Sequence, residues 1–261
     1  VKNYTTKKIM VWGIYDYNNT RDDVDYVHCD DEEELLREFV SFMESVQPDV
    51  ITGWNTTFFD IPYLCLRIKK LFGNKFMQTL SPWRVVTEEH TSTFGRDVTR
   101  YNIWGVANLD YLDLYKKFTY TDQESFTLDN IAFVELGTKK DPNPYDTFKE
   151  WYTKDYQSFI DYNIKDVELV DALENHLGMT QLMFTMAYEA KINYNDVYSQ
   201  NRMWDVIIFN YLKEKNKVIP QRMRNDKTAK YEGAYVKDPL VGQHNWVMSF
   251  DLNSLYPHLI M

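Results

Sequence analysis

Asp49-Val50-Ile51-Thr52-Gly53-Trp54-Asn55-Thr56-Thr57-Phe58-Phe59-Asp60 is the stretch on which the fold turns. Asp49 to Gly53 reads as a buried strand, and Ile61 to Phe72 reads as a helix that Gly73 ends. Asp60 therefore falls between a strand's C-terminal edge and a helix N-terminus, where open α/β sheets place their ligand sites. Two readings of its carboxylate stand side by side. It either caps the helix that begins at Ile61 or serves as a site acid.

Working outward, the same alternation continues on both sides. Lys8 to Tyr15 and Val24 to Cys29 read as strands. Glu32 to Val46 carries Leu35, Leu36, Phe39, Val40 and Met43 at helical spacing, with Asp30 or Asp31 placed to cap it. A β, α, β, α order of this kind points to an α/β layer fold. Arg84 to Trp104 holds two β-like runs about Phe94-Gly95-Arg96, a hairpin signal. Val106 to Leu109 reads as a further strand and Phe126 to Leu136 as a short helix.

A long amphipathic helix follows from Asp155 to His176, closed by Gly178. On it Tyr162 and Asp166 lie four residues apart, so both project from one face and can act on a shared ligand. At the far end of the chain the apolar run Trp246 to Phe250 reads as a buried strand. It delivers Asp251 at its exit, and a Ser254-Leu255-Tyr256-Pro257 turn comes next. A carboxylate at the end of a buried strand suits metal binding, because the strand holds it in place and the loop leaves its oxygens accessible.

Composition narrows the function classes. The 261 residues can bury a sizeable core, and 44% hydrophobic and 26% charged content is ordinary for a globular chain. No apolar run approaches the roughly 20 residues of a membrane span. Cys29 and Cys65 lack metal-site spacing, which makes a reducing, cytosolic compartment the default. The net charge of −10 runs against phosphate binding until its distribution is examined. Between Lys213 and Lys237, eight basic residues (Lys213, Lys215, Lys217, Arg222, Arg224, Lys227, Lys230, Lys237) face three acids. That stretch can track a phosphate backbone.

Taken together, these motifs resemble those of family B DNA polymerases. Asn55 to Asp60 is similar to the second motif of DEDD-type 3′–5′ proofreading exonucleases, Nx(2–3)(F/Y)D, and Tyr162 to Asp166 to the third, YxxxD. Tyr231-Glu232-Gly233-Ala234 resembles the YxGG/A element between exonuclease and palm. Asp251 to Met261 resembles the first palm motif, DxxSLYPSII, with His258 where the family usually has Ser. Leu109 to Phe118, Trp204 to Asn210 and Lys217 to Gln221 resemble the replicative polymerases of T-even-type bacteriophages, a likeness that covers nearly the whole chain.

The resemblance implies an α/β, RNase H-like exonuclease domain over residues 1–178, a linking segment of the polymerase N-terminal domain over 179–222, and the start of the palm over 223–261. It implies Asp60, Asp166 and Asp251 as ligands of Mg²⁺ or Mn²⁺, two ions per complete site, and Tyr162 as the residue that orients the attacking water. Asn55, Phe59, Tyr231, Gly233 and Ala234 would contact DNA. Leu252, Ser254, Leu255 and Tyr256 would line the nucleotide pocket, with Tyr256 excluding ribonucleotides. The implied partners are primer–template DNA, a single-stranded DNA 3′ end, dNTPs and, for a full-length protein, a sliding clamp. The implied setting is the cytoplasm of an infected bacterium.

Asp30-x-Glu32 and Asp31-x-Glu33 sit at a helix start, so neither supplies the strand-borne D-x-E of the first exonuclease motif. Asp113, between Leu112 and Leu114, reads as a structural or capping acid. An internal fragment is expected on this reading, with each site holding half its carboxylates and neither activity robust in isolation. Two other classes stay open: a free-standing DEDD exonuclease, which leaves the palm motif unexplained, and a non-catalytic DNA-binding module, which does not require these acids.

Overall fold

The computed structural model of the chain describes residues 1–93, 96–139, 143–219, 233 and 235–261. The chain divides into two compact units, Val1–Val218 and Ile219–Met261. In the first, strands β1 (Ile9–Gly13) and β2 (Val24–His28) pair in parallel. Helix α1 (Glu32–Val46) starts where Asp31 caps it: the Asp31 carboxylate accepts from Glu34 N–H at 2.8 Å. Its Leu36, Val40 and Met43 turn inward at the spacing an amphipathic helix requires.

Strand β3 (Val50–Gly53) is half-buried rather than fully buried. It pairs in parallel with β6 (Ala107–Asp110), bringing Gly53 opposite Asp110. Helices α2 (Ile61–Phe72) and α3 (Asn74–Met77) follow β3, separated by Gly73 at φ 83°. Strands β4 (Val86–Thr93) and β5 (Arg96–Ile103) form the expected antiparallel hairpin; its Phe94-Gly95 tip lies outside the described residues. Among the described residues the six strands thus make three two-stranded sheets. The architecture is mixed α/β with small sheets.

Helices α4 (Tyr111–Phe118), α5 (Leu128–Leu136), α6 (Phe148–Lys154) and α7 (Tyr156–Leu177) complete the region of the candidate site. The 22 residues of α7 extend about 33 Å. That length lets one helix serve two cores. Ile160 and Ile164 pack on Ile9 and Val24, whereas Leu169 and Leu173 join Leu109, Tyr111, Leu114, Tyr115 and Ile131. Gly178, left-handed at φ 63°, ends α7 and starts α8 (Met179–Ala190). Met183 and Ala187 of α8 enter the same core, and α9 (Gln200–Glu214) follows with no buried residue. The stretch after Gly178 therefore packs with the helices before it, through residue Val197.

The second unit departs from the sequence expectation. Trp246 to Phe250 is neither a strand nor buried: Trp246 is 99% and Phe250 85% exposed. A strand needs a partner for its ladder, and no described segment pairs with this one. The expected turn after it begins a short helix instead, α10 (Leu255–Ile260), preceded by Ser254 in the left-handed region. Of the described residues no helix is long and apolar enough to cross a membrane.

Candidate active site

The site is built on the carboxyl ends of β3 and β6. Beyond Gly53 the chain turns through Asn55, left-handed at φ 67°, a conformation Asn tolerates better than most residues. A π-helical turn, Thr56–Asp60, leads directly into α2. What holds this turn is β6. Asp110 is 1% exposed, and its Oδ1 accepts from the backbone N–H of Asn55 and of Leu112, each at 3.0 Å. Its Oδ2 accepts from Thr57 N–H at 2.8 Å. Two residues earlier, Asn108 Oδ1 accepts from the Thr56 hydroxyl at 2.8 Å, and Asn108 Nδ2 donates to the Thr57 hydroxyl at 3.1 Å. Thr52 Oγ1 adds a bond to Leu109 O at 2.7 Å. Backbone polar groups at the end of a parallel pair have lost their ladder partners, and Asp110 replaces them for Asn55 and Thr57.

Asp60 is presented at the far end of this turn. It occupies the N-cap position of α2, yet its φ and ψ are helical and its side chain makes no capping bond. The capping reading of Asp60 is therefore wrong. The residue is exposed as a whole. Desolvation, with a smaller push from the Asp110 carboxylate, raises its pKa to about 6. Phe59 beside it is 65% exposed and stacks on Tyr63, with ring centroids 6.4 Å apart and planes at 11°. Phe58 carries the Arg100 guanidinium over its ring at 4.5 Å.

Tyr162 and Asp166 share one face of α7, both half-buried. The Tyr162 ring packs against Trp151 of α6 at 4.9 Å and Phe148 at 6.3 Å. An open groove of about 680 Å³ lies between α2 and α7, bordered by Tyr63 and Arg67 on one side, Phe159 and Asn163 on the other, and Trp12 of β1. Gly13 at the end of β1 lies close beneath two rings: a Cβ there would displace the hydroxyl ends of Tyr156 and Tyr26.

Asp60 offers hard carboxylate oxygen, the donor that Mg²⁺ and Mn²⁺ prefer, and no cap occupies it. Among the described residues, however, no three His, Cys, Asp or Glu side chains gather as a metal-holding group. Of the other expected acids, Asp113 is not the cap of α4. Asp110 is, because it alone stands at the strand exit with its carboxylate toward Leu112 N–H. Asp251 is exposed and outside any strand, and Leu252, Ser254, Leu255 and Tyr256 around it are exposed as well. Gly233 is exposed with open space around it, whereas Tyr231 and Ala234 lie outside the described residues. Of the basic stretch, Lys213, Lys215, Lys217 and Lys237 are exposed; Arg222, Arg224, Lys227 and Lys230 lie outside the described residues.

An acid at the carboxyl ends of a parallel strand pair, beside exposed aromatic rings, stands where α/β folds place their ligand sites. Residues 2–131 match the exonuclease domain of DNA polymerase family B, and residues 192–261 match DNA polymerase family B itself. The chain is 41% identical over 241 residues to the DNA-directed DNA polymerase of Escherichia phage RB69, covering 92% of this chain and 26% of that protein. It is 40% identical over 240 residues to that of Enterobacteria phage T4, with the same coverage of each chain. More distantly, it is 26% identical over 258 residues to the DNA polymerase of Archaeoglobus fulgidus, covering 93% of this chain and 29% of the relative. The chain belongs to the family B DNA polymerases. It spans about a quarter of the length of the phage relatives it matches.

Proposed function

We propose that this chain supplies the proofreading 3′–5′ exonuclease and the beginning of the palm to a DNA-directed DNA polymerase that replicates phage DNA. Residues 1–178 form the exonuclease domain, of RNase H-like type, 179–222 link it onward, and 223–261 open the palm. The observation that carries the reading is the presentation of Asp60: a carboxylate that caps no helix, at the end of a turn held by the buried Asp110 at a strand-pair edge, with exposed Phe59 beside it.

Asp60 and Asp166 would hold Mg²⁺ or Mn²⁺ on the exonuclease side and Asp251 on the synthetic side. When bound, two such ions activate water and stabilise the leaving 3′ oxygen. The chain's own contribution is positional. Phe59 stacks a terminal base of the single-stranded DNA 3′ end, Asn55 and the turn behind it set the approach, and the Tyr162 hydroxyl orients the attacking water. The exposed lysines between Lys213 and Lys237 supply sequence-independent attraction for the primer–template. The dNTP meets Tyr256, and a sliding clamp acts on the complete polymerase.

The test uses the full-length polymerase with 5′-labelled single-stranded DNA and, separately, a primed template. Asp60→Ala and Asp166→Ala each abolish degradation and leave primer extension intact. Equal loss of both activities would sink the assignment of separate sites.

A further inference from the structure

We infer that Asp110, with Asn108 two residues before it, is a positioning residue for the Asp60 turn and not itself a metal ligand. This rests on the exonuclease reading of Asp60. Both oxygens of the Asp110 carboxylate are already committed, Oδ1 to two backbone N–H groups and Oδ2 to a third. At 1% exposure it presents nothing to solvent. A metal at Asp110 would have to break these bonds, which are the ones that shape the turn.

The arrangement follows from strand geometry. Residues 108 and 110 alternate to the same side of β6, so both side chains reach the turn leaving β3. Asn108 holds the hydroxyls of Thr56 and Thr57; Asp110 holds the amides of Asn55 and Thr57. The strand end is itself fixed from behind. The Tyr198 hydroxyl donates to Asp110 O at 3.2 Å, and Lys117 Nζ donates to Tyr198 O at 2.5 Å. Three residues beyond Thr57, Asp60 inherits its position from this clamp. An Asn at position 110 keeps the volume but turns one acceptor oxygen into an NH₂ donor, so at least one of the two turn amides loses its partner.

The first experiment follows amide hydrogen exchange in the metal-free 261-residue chain. Asp110→Asn should accelerate exchange at Asn55, at Thr57 or at both at least tenfold, with the amides of the β4–β5 hairpin unchanged. Asn108→Ala, which leaves every backbone bond of the clamp in place, should give a smaller acceleration at the same turn. It also serves if Asp110→Asn does not fold. In the full-length polymerase, Asp110→Asn should lower 3′–5′ degradation at least tenfold and raise the Mn²⁺ concentration needed for half-maximal rate, with synthesis unaltered. Unchanged exchange at Asn55 and Thr57, or acceleration spread evenly over the chain in both variants, overturns the inference. Degradation that survives Asp60→Ala would instead overturn the exonuclease reading, and the exchange result would still stand on its own.

Discussion

Replacing Asp60 by Asn should stabilise the metal-free protein at neutral pH and do almost nothing in acid. Its carboxyl is raised from 3.8 to about 6 by desolvation, which outweighs a backbone hydrogen bond at Asp60 that lowers it, with a smaller rise from the Asp110 carboxylate. At about 1.4 kcal/mol per unit, a fully sheltered group with that shift would cost about 3 kcal/mol of stability when ionised. Asp60 is exposed, so solvent screening cuts this to about 1 kcal/mol. The sign follows from the direction of the shift. The folded state keeps its proton up to about pH 6, while the unfolded chain loses it near pH 4, so stability falls as pH rises through that window and then levels off. Asn carries no charge to desolvate. Urea unfolding followed by tryptophan fluorescence in EDTA should show Asp60→Asn ahead of the parent by about 1 kcal/mol at pH 7.5 and level with it at pH 4. A gain equal at both values, or a loss at pH 7.5, would mean that folding does not desolvate the Asp60 carboxylate. Divalent metal should narrow the gap at pH 7.5, because it neutralises the parent carboxylate and has less to bind in the variant.

Three further outcomes are expected. In the full-length polymerase Tyr256→Ala should raise ribonucleotide relative to deoxyribonucleotide incorporation more than tenfold, over about 1.4 kcal/mol of lost discrimination, as measured by primer extension with matched substrates; an unchanged ratio makes Tyr256 a packing residue. Asp251→Ala should stop synthesis with every dNTP while 3′–5′ degradation continues, read on the same two DNA substrates. Leu114→Ala, at a position with no solvent exposure in the core shared by β6, α4 and α7, should cost about 2–5 kcal/mol in urea unfolding. A loss below about 1 kcal/mol there would mean that this core collapses around the gap.

Local pattern was legible wherever a residue's neighbours in sequence decide its state. Helix α1 runs Glu32–Val46, as its apolar spacing required, and α2 runs Ile61–Phe72 up to Gly73. The face shared by Tyr162 and Asp166 needed only the helical repeat. The same reasoning failed where a partner was needed. Trp246 to Phe250 has a strand's composition, but without a ladder partner among the described residues it stays exposed. It also stopped short of the helices after Gly178, where Met183 and Ala187 of α8 declare themselves only in the core that α4 shares.

The candidate site divides along the same line. Asn55, Phe59, Asp60, Tyr162 and Asp166 could be picked out by motif, because motifs are short and local. Whether Asp60 capped its helix could not, since capping depends on backbone angles and on where a carboxylate points. Asp110 lay further still from reach. In the sequence it is one acid among several near Asp113. Only the parallel pairing of β3 with β6 brings it against amides 53 and 55 residues away, and burial there turns its hydrogen bonds into the support of the turn.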